Sequence, residues 1–226
     1  DRDINVLDQI KINSQGSPMP PDTNLTAIEI GSQQWDNGRL IQLCSAGTVG
    51  NTGDGNDDNA CVGGFILGGK IPHDIYKLTN LKTLYLPRNS FTDTIPNTIT
   101  GLGSLEILML DNNFLTGGIP NDIGNLTELT TLTLSVNQLT GILPQSMLSL
   151  SKLETLDLHA NQLSGVIPES LGNLTFLYLL NLYSNLYNTL GYLCKYLILV
   201  QKRSSLLEQI KCLSDLDRFP NNPIKL

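Results

Sequence analysis

Between residues 81 and 176 the apolar and polar positions recur every 24 residues. Four lines, 81–104, 105–128, 129–152 and 153–176, align without insertion or deletion. Each has Leu at its first, fourth and sixth positions: Leu81/Leu84/Leu86, Leu105/Leu108/Leu110, Leu129/Leu132/Leu134 and Leu153/Leu156/Leu158. The fourth and sixth lie two apart, so both face one side of an extended strand. The pattern predicts one short strand per line, stacked in parallel about 4.8 Å apart. Ile99, Leu102, Ile123, Leu126, Met147, Leu150, Leu171 and Leu174 bring the chain back to the same core.

Two polar columns belong to the scaffold. Asn stands ninth in each line, at Asn89, Asn113, Asn137 and Asn161, and again at Asn185. A carboxamide both donates and accepts, so it can satisfy backbone groups where the chain turns inward. The expectation is a ladder of stacked Asn side chains. Pro96, Pro120, Pro144 and Pro168 stand sixteenth, where a fixed φ and a missing N–H end strand pairing.

The pattern fails at both ends. Residues 1–39 read as an N-terminal cap. Ile4, Leu7 and Ile10 predict a short helix, Ser17-Pro18 and Pro20-Pro21 end it, and 25–30 is a candidate strand. Trp35 is the expected apolar plug over the first coil. The solenoid is expected over 40–200. Its first repeat starts at Leu40, and its second half returns at Leu67, Ile71 and Pro72, which leaves a 17-residue insertion around 45–64. A further repeat starts at Leu177 and loses the pattern after Asn185. Ser205-x-x-Glu208, with Leu206, Ile210 and Leu213, predicts a closing helix within a C-terminal cap and tail, 201–226.

A formal net charge of −7, with no basic patch, argues against nucleic acid as a partner. The longest apolar stretch, 190–200, is about half of what a transmembrane span needs and contains Lys195. Asp1 stands first and no leader-type apolar region follows, so a signal peptide is expected to be absent or already removed; a fragment of a longer membrane protein fits equally. Cys44 with Cys61, and Cys194 with Cys212, are disulfide candidates, each pair local in sequence; reduced core cysteines are the alternative. Asp54, Asn56, Asp57 and Asp58 offer oxygen ligands, but no Glu closes an EF-hand loop, and a solvated loop is expected. No metal or other cofactor is expected. Asn24, Asn125 and Asn173 head Asn-x-Ser/Thr sequons. The latter two lie in Gly-Asn-Leu-Thr, which reads either as a glycosylation signal or as repeat consensus.

The assembled motif, Leu-x-x-Leu-x-Leu-x-x-Asn-x-Leu-Thr-Gly-x-Ile-Pro-x-x-Ile-Gly-Asn-Leu, resembles the plant-type leucine-rich repeat. That type occurs in ectodomains of receptor-like kinases and receptor-like proteins and in polygalacturonase-inhibiting proteins. The resemblance covers roughly residues 65–190 and implies an α/β repeat fold: a right-handed solenoid of about six coils with a parallel β-sheet on its concave face. It implies a second short strand from each Thr-Gly-x-Ile-Pro segment. It also implies a secreted, extracellular or cell-surface protein that binds a protein, peptide or glycan. The chain departs from the family pattern in having no Cys before Trp35.

Within each strand the residues between the Leu columns are not committed to the core. Those chosen as candidate partner-binding residues are Tyr85, Arg88, Met109, Asp111, Thr133, Asp157, His159 and Tyr183. Asp157 and His159 lie two apart on one strand, yet no nucleophile or nucleotide-binding motif accompanies them, so an enzyme is not expected. The function expected is a non-enzymatic recognition module. The alternatives are a subunit docked in a larger complex and an inhibitor of a secreted hydrolase.

Overall fold

The repeat pattern becomes a stack of coils with two β-sheets in the computed structural model, which describes residues 2–16, 32–45, 66–187 and 198–200. The candidate strand at 25–30, Asn24, most of the 45–64 insertion with Cys61, the acidic run 54–58, Cys194, Cys212 and the helix expected near 205–213 lie outside those residues. In chain order the elements are helix α1 (Arg2–Asn13) and strands β1 (Ser32–Asp36), β2 (Arg39–Cys44), β3 (Gly68–Lys70), β4 (Thr83–Tyr85), β5 (Ser90–Thr94), β6 (Ile107–Met109) and β7 (Phe114–Gly117). They continue with β8 (Thr131–Thr133), β9 (Gln138–Gly141), β10 (Thr155–Asp157), β11 (Gln162–Gly165), β12 (Leu179–Asn181), β13 (Leu186–Tyr187) and β14 (Ile198–Val200).

The Leu-x-x-Leu-x-Leu segments make the larger sheet, ordered β1-β2-β4-β6-β8-β10-β12-β14. From β4 to β12 the register is one coil per step: Leu84, Leu108, Leu132, Leu156 and Leu180 stand side by side. Leu43 stands beside Leu84, 41 residues on rather than 24, so 17 more residues separate this step than the others. The Thr-Gly-x-Ile-Pro half makes a second sheet, ordered β13-β11-β9-β7-β5-β3. Between the sheets the Leu triads are at most 1% exposed, with Phe91, Leu115, Leu139 and Leu163 packed beneath the second sheet. Burying each of these side chains contributes about 1.5–3 kcal/mol.

After each Pro the chain makes a 3-10 turn and no α-helix. Ile75, Ile99, Ile123, Met147 and Leu171 each donate N–H to the carbonyl of the Pro three residues back, at 2.9–3.0 Å. Three to five residues per turn segment suffice to return the chain to the next strand, and α1 is the one α-helix among the described residues.

The Asn side chains bind adjacent coils together. Asn137 donates from Nδ2 to the carbonyls of Leu110 (3.0 Å), Leu134 (3.1 Å) and Ser135 (3.2 Å), and its Oδ1 accepts from the Leu115 N–H (2.9 Å). Asn113, Asn161 and Asn185 repeat the scheme one coil away each time. Asn89 reaches the carbonyl of Ser45 instead (2.7 Å) and accepts from the Leu67 N–H (2.8 Å).

The N-terminal end differs from the sequence expectation. Trp35 is 36% exposed and plugs nothing. It sits on a β1–β2 hairpin whose Asn37-Gly38 turn has φ of 49° and 74°, the positive pair that a tight hairpin requires. A register shift between Gln34 and Trp35 accompanies the outward-facing Trp35. The apolar cover comes from Val6, Leu7 and Ile10 of α1, each at most 1% exposed, with Ile4 only partly buried. Asp3 pins the helix down. Its carboxylate accepts from the Leu40 N–H (2.8 Å) and from Arg39 Nε (3.1 Å), and Arg39 Nη2 lies 3.0 Å from its other oxygen. At the helix C-terminus a Cβ on Gly69 would fall 2.2 Å from the Asn13 carbonyl oxygen, so only glycine lets α1 approach β3 this closely. The sheet edges are closed by antiparallel strands, β1 on one side and β14 on the other, which differs from an all-parallel sheet.

Backbone strain recurs at one column. Arg88, Asn112, Val136, Ala160 and Ser184, the eighth residue of successive repeats, all have φ between 51° and 57°. Val136 suits this region worst, being β-branched. Replacing it by Asn, which tolerates left-handed backbone, is expected to stabilise the chain by about 0.5–1 kcal/mol, read as a higher midpoint in chemical denaturation. Asn137→Ala strands the Leu115 N–H and three carbonyls and is expected to cost about 1–3 kcal/mol; an unchanged thermal midpoint would contradict the ladder.

Candidate functional site

The concave face is built from the residues between the Leu columns. Register places Tyr85, Met109, Thr133 and Asp157 in one row, with Asn181 next. Asp111 and His159 stand two residues further along their strands, Tyr183 likewise on the last, and Arg88 at the strained eighth position. Tyr85 and Arg88 thus lie at one end, and His159 and Tyr183 at the other. Three coils span the distance between β4 and β10, about 14 Å at the usual strand spacing. The eight residues form an open row and do not converge on a pocket.

Side chains in this row bond across coils. Lys82 Nζ lies 2.9 Å from Glu106 Oε1, and that contact holds the Lys82 pKa above its ordinary value. Thr133 Oγ1 donates to Asp111 Oδ1 at 2.9 Å. That bond and its neighbours leave Thr133 only 8% exposed, so of the eight candidates it is the one the structure buries. It shapes Asp111 more than it meets a partner. Asp157 Oδ1 lies 2.7 Å from His159 Nδ1 and also accepts from the His159 N–H (3.1 Å). The shorter contact assigns the Nδ1 proton to the Asp157 bond. Asn181 Nδ2, 3.1 Å from the same nitrogen, then packs against it without donating to it. Asn181 in turn accepts from the Tyr183 N–H at 3.3 Å. Asp157, His159 and Asn181 form one half-buried polar cluster across two coils, with Tyr178 (47% exposed) and Tyr183 (40% exposed) on the same last coil.

Asn181 was absent from the sequence-derived set although it occupies the same column as Asp157. The row register that joins it to His159 was the available signal. The strain at position eight was not legible, because five different residue types stand there. Asp157 and His159 are oriented for hydrogen bonding, and no Ser, Thr or Cys nucleophile completes a catalytic arrangement with them among the described residues.

The second sheet presents another exposed face. Its outward repeat positions are Phe114, Gln138, Gln162 and Leu186, then Thr92, Thr116, Thr140 and Ser164, then Thr94, Gly118, Ile142 and Val166. The sheet register steps by 22 residues, so Thr92 stands beside Phe114, Thr116 beside Gln138, Thr140 beside Gln162 and Ser164 beside Leu186. These positions carry no charge. Ile142, Val166 and Leu186 are 60–65% exposed. Charge appears only at the first coil, where Lys70 Nζ meets Asp93 Oδ2 at 2.6 Å. Asp93 stands where Gly117, Gly141 and Gly165 stand in later coils, with the same positive φ. Hydrogen bonds from Lys70 and from the Thr94 N–H hold its carboxyl below the usual range. Between α1 and this edge lies an open cleft of about 590 Å³, lined by Asn5, Gln9, His73 and Asp74 among others. The charged groups along it are paired, Lys70 with Asp93 and Lys77 with Asp74.

Asn125 and Asn173 are exposed on the turns that follow Pro120 and Pro168, on neither sheet. No helix among the described residues is long and apolar enough to cross a membrane.

The family model for the leucine rich repeat matches residues 79–139 and 127–186. No curated protein matches the chain. Among solved structures it is similar to the Arabidopsis receptor kinase HAESA in complex with the peptide hormone IDA and the co-receptor SERK1, at 37% identity and TM-score 0.52 over 53% of this chain and 20% of that one. It is similar to PEPR1 in the PEPR1–AtPEP1 structure, at 26% identity and TM-score 0.64 over 82% of this chain and 25% of that one. It is also similar to a plant ice-binding protein, at 27% identity and TM-score 0.61 over 82% of this chain and 56% of that one. The chain spans a quarter or less of the two receptor structures. Repeat period, two-sheet coil, Asn ladder and these similarities agree: residues 79–186 are a leucine-rich-repeat array, similar to those of plant receptor ectodomains.

Proposed function

We propose that this chain is a non-enzymatic, extracellular recognition module that binds an extended peptide or a protein segment along its concave face. The observation that carries the reading is the row itself. Side chains from successive coils line up in register, all but Thr133 at least partly exposed, and are held in place by bonds to one another, as Thr133 to Asp111 and His159 to Asp157. Preorganised polar groups flanked by aromatic side chains are what a recognition surface uses. The HAESA structure holds a peptide hormone and a co-receptor, which supports a peptide or protein partner over a glycan. The extracellular placement draws support from Cys44, which is buried and disulfide-bonded. Its proposed partner is Cys61, and Cys194 with Cys212 is proposed as the second bridge.

The row also has polarity. Arg88 stands at the N-terminal end and Asp111, Glu154 and Asp157 further along, so a partner with opposed charges would lie in one direction only.

A second reading is favoured by the face of the second sheet, which carries no charge beyond the Lys70–Asp93 pair at its first coil. A hydroxyl recurs once per coil, at Thr92, Thr116, Thr140 and Ser164, and stands in register beside Phe114, Gln138, Gln162 and Leu186 of the next strand. Such a face suits a neutral periodic surface, ice among them, and the similarity to a plant ice-binding protein is consistent with it.

Affinity capture from native material followed by mass spectrometry identifies the partner. Against that partner, Asp157→Lys and Arg88→Glu are each expected to weaken binding about tenfold, or about 1.4 kcal/mol. Thr140→Lys on the second sheet should leave capture unchanged. If both concave variants bind like the parent, the site is elsewhere. For the second reading, the purified chain is expected to slow ice recrystallisation and Thr140→Lys to abolish the effect; an inactive parent chain removes that reading.

A further inference from the structure

We infer that Asn125 and Asn173 are acceptors of N-linked glycans. Sequence left Gly-Asn-Leu-Thr open between a modification signal and repeat consensus, and the packing separates its four residues into two kinds. Gly124 and Leu126 serve the coil. A Cβ on Gly124 would fall 2.0 Å from the Ser146 carbonyl oxygen of the next turn, and Leu126 is fully buried. Asn125 and Thr127 serve nothing of the sort. Both are exposed, as are Asn173 and Thr175. None of the four side chains makes a hydrogen bond to a described residue.

The neighbouring coils supply the control. At the same three positions they carry Lys77-Leu78-Thr79, Gly101-Leu102-Gly103 and Ser149-Leu150-Ser151. Leu alone is constant. Each of these Leu residues donates N–H to the carbonyl three residues back, at 3.1–3.2 Å, with or without a sequon around it. Their φ stays between −81° and −74° and their ψ between 55° and 82°. The central Leu therefore keeps its bond and its dihedrals on Lys, Gly, Ser or Asn, and the scaffold does not select the Asn-x-Thr pair, although Gly103 and Ser151 add an N–H bond to the carbonyls of Gly101 and Ser149 in two coils without a sequon.

The two sites occupy the same column on alternate coils, about 10 Å apart at the usual strand spacing. The coil between them presents Ser149 at that column, which leaves room for a glycan stem on either side. In the transfer, a bond forms between Asn Nδ2 and C1 of an oligosaccharide carried on a polyprenyl diphosphate. The C1–O bond to the diphosphate breaks, the diphosphate leaves with the electron pair, and the amide proton passes to base. These turns belong to neither sheet, so the glycans would be rooted away from the concave row and the second sheet.

The inference rests on the extracellular placement proposed above, and its test needs no partner. The full chain, secreted from a eukaryotic host behind a leader, is mapped by peptide mass spectrometry before and after peptide-N-glycosidase treatment. Both positions are expected to be occupied, and enzymatic release to leave Asp at 125 and 173. Asn125→Gln and Thr127→Ala are each expected to remove the glycan at 125 alone. Treated with the glycosidase and refolded alongside the parent, both variants should unfold at the parent's temperature. A folded, secreted chain with unmodified Asn125 and Asn173 overturns the inference. So does a marked loss of stability in deglycosylated Asn125→Gln, which would return the residue to the scaffold. Failure of the concave-face variants to weaken capture bears on the proposed partner and leaves this result untouched.

Discussion

Every coil of this chain turns its backbone inward once, and the carboxamide at that turn is the constraint on which the rest depends. Turning inward buries carbonyls and N–H groups that no strand can pair, each costing about 1–3 kcal/mol if left alone. One Asn answers up to four of them. Its bonds are divided between its own coil and the one before: Asn161 takes carbonyls from Leu158 and from Leu134, and accepts from Leu139. The same side chain that closes a turn therefore also fixes the spacing and register of its neighbour. A coil folded alone would lack half of these partners, so the turn chemistry itself makes the stack cooperative. At the first coil the ladder continues through Asn89 to Ser45, despite the longer chain between β2 and β3.

That constraint divides the sequence into columns, and the division is what made so much of the fold legible. Leu, Asn and Pro recur because each answers a demand that returns every 24 residues. The second sheet follows from the glycine that precedes Ile-Pro, whose positive φ is kept even where Asp93 replaces it and Lys70 steadies the carboxylate. Features that occur once carry no such redundancy. Asn37-Gly38 is a hairpin signal in two residues, easily passed over beside a Trp that looked like a plug. The role of Asp3 depends on Arg39 and Leu40, 36 and 37 residues away, and no local pattern joins them.

The site was legible as columns and not as contacts. Tyr85, Met109 and Asp157 stand where the alternation puts them. Thr133 stands in the same row and is buried, because Asp111 in the preceding coil takes its hydroxyl. Position eight looks free from its varied occupants, yet its backbone is held left-handed in every coil from Arg88 to Ser184. Variation in side chain there coexists with a fixed and costly conformation, which aims those side chains as firmly as a strand would. A recognition row on this scaffold is therefore stiffer than its sequence implies.

Stiffness bears on what such a row can bind. The concave side chains already spend hydrogen-bonding capacity on one another: Asp157 on His159, Glu106 on Lys82 and Asp111 on Thr133. A partner gains affinity here only by bonding the remaining lone pairs and donors, or by offering a better match than the internal bond it displaces. The first route keeps the row as it is and costs little ordering, because the cross-coil bonds have already fixed the rotamers. It also demands a partner whose groups repeat at the coil spacing. An extended chain meets that demand, since its residues advance about 3.3 Å each and some side chain falls near every coil. A globular surface meets it only where its own secondary structure runs along the stack. The geometry of the scaffold thus favours linear partners before any individual side chain is considered.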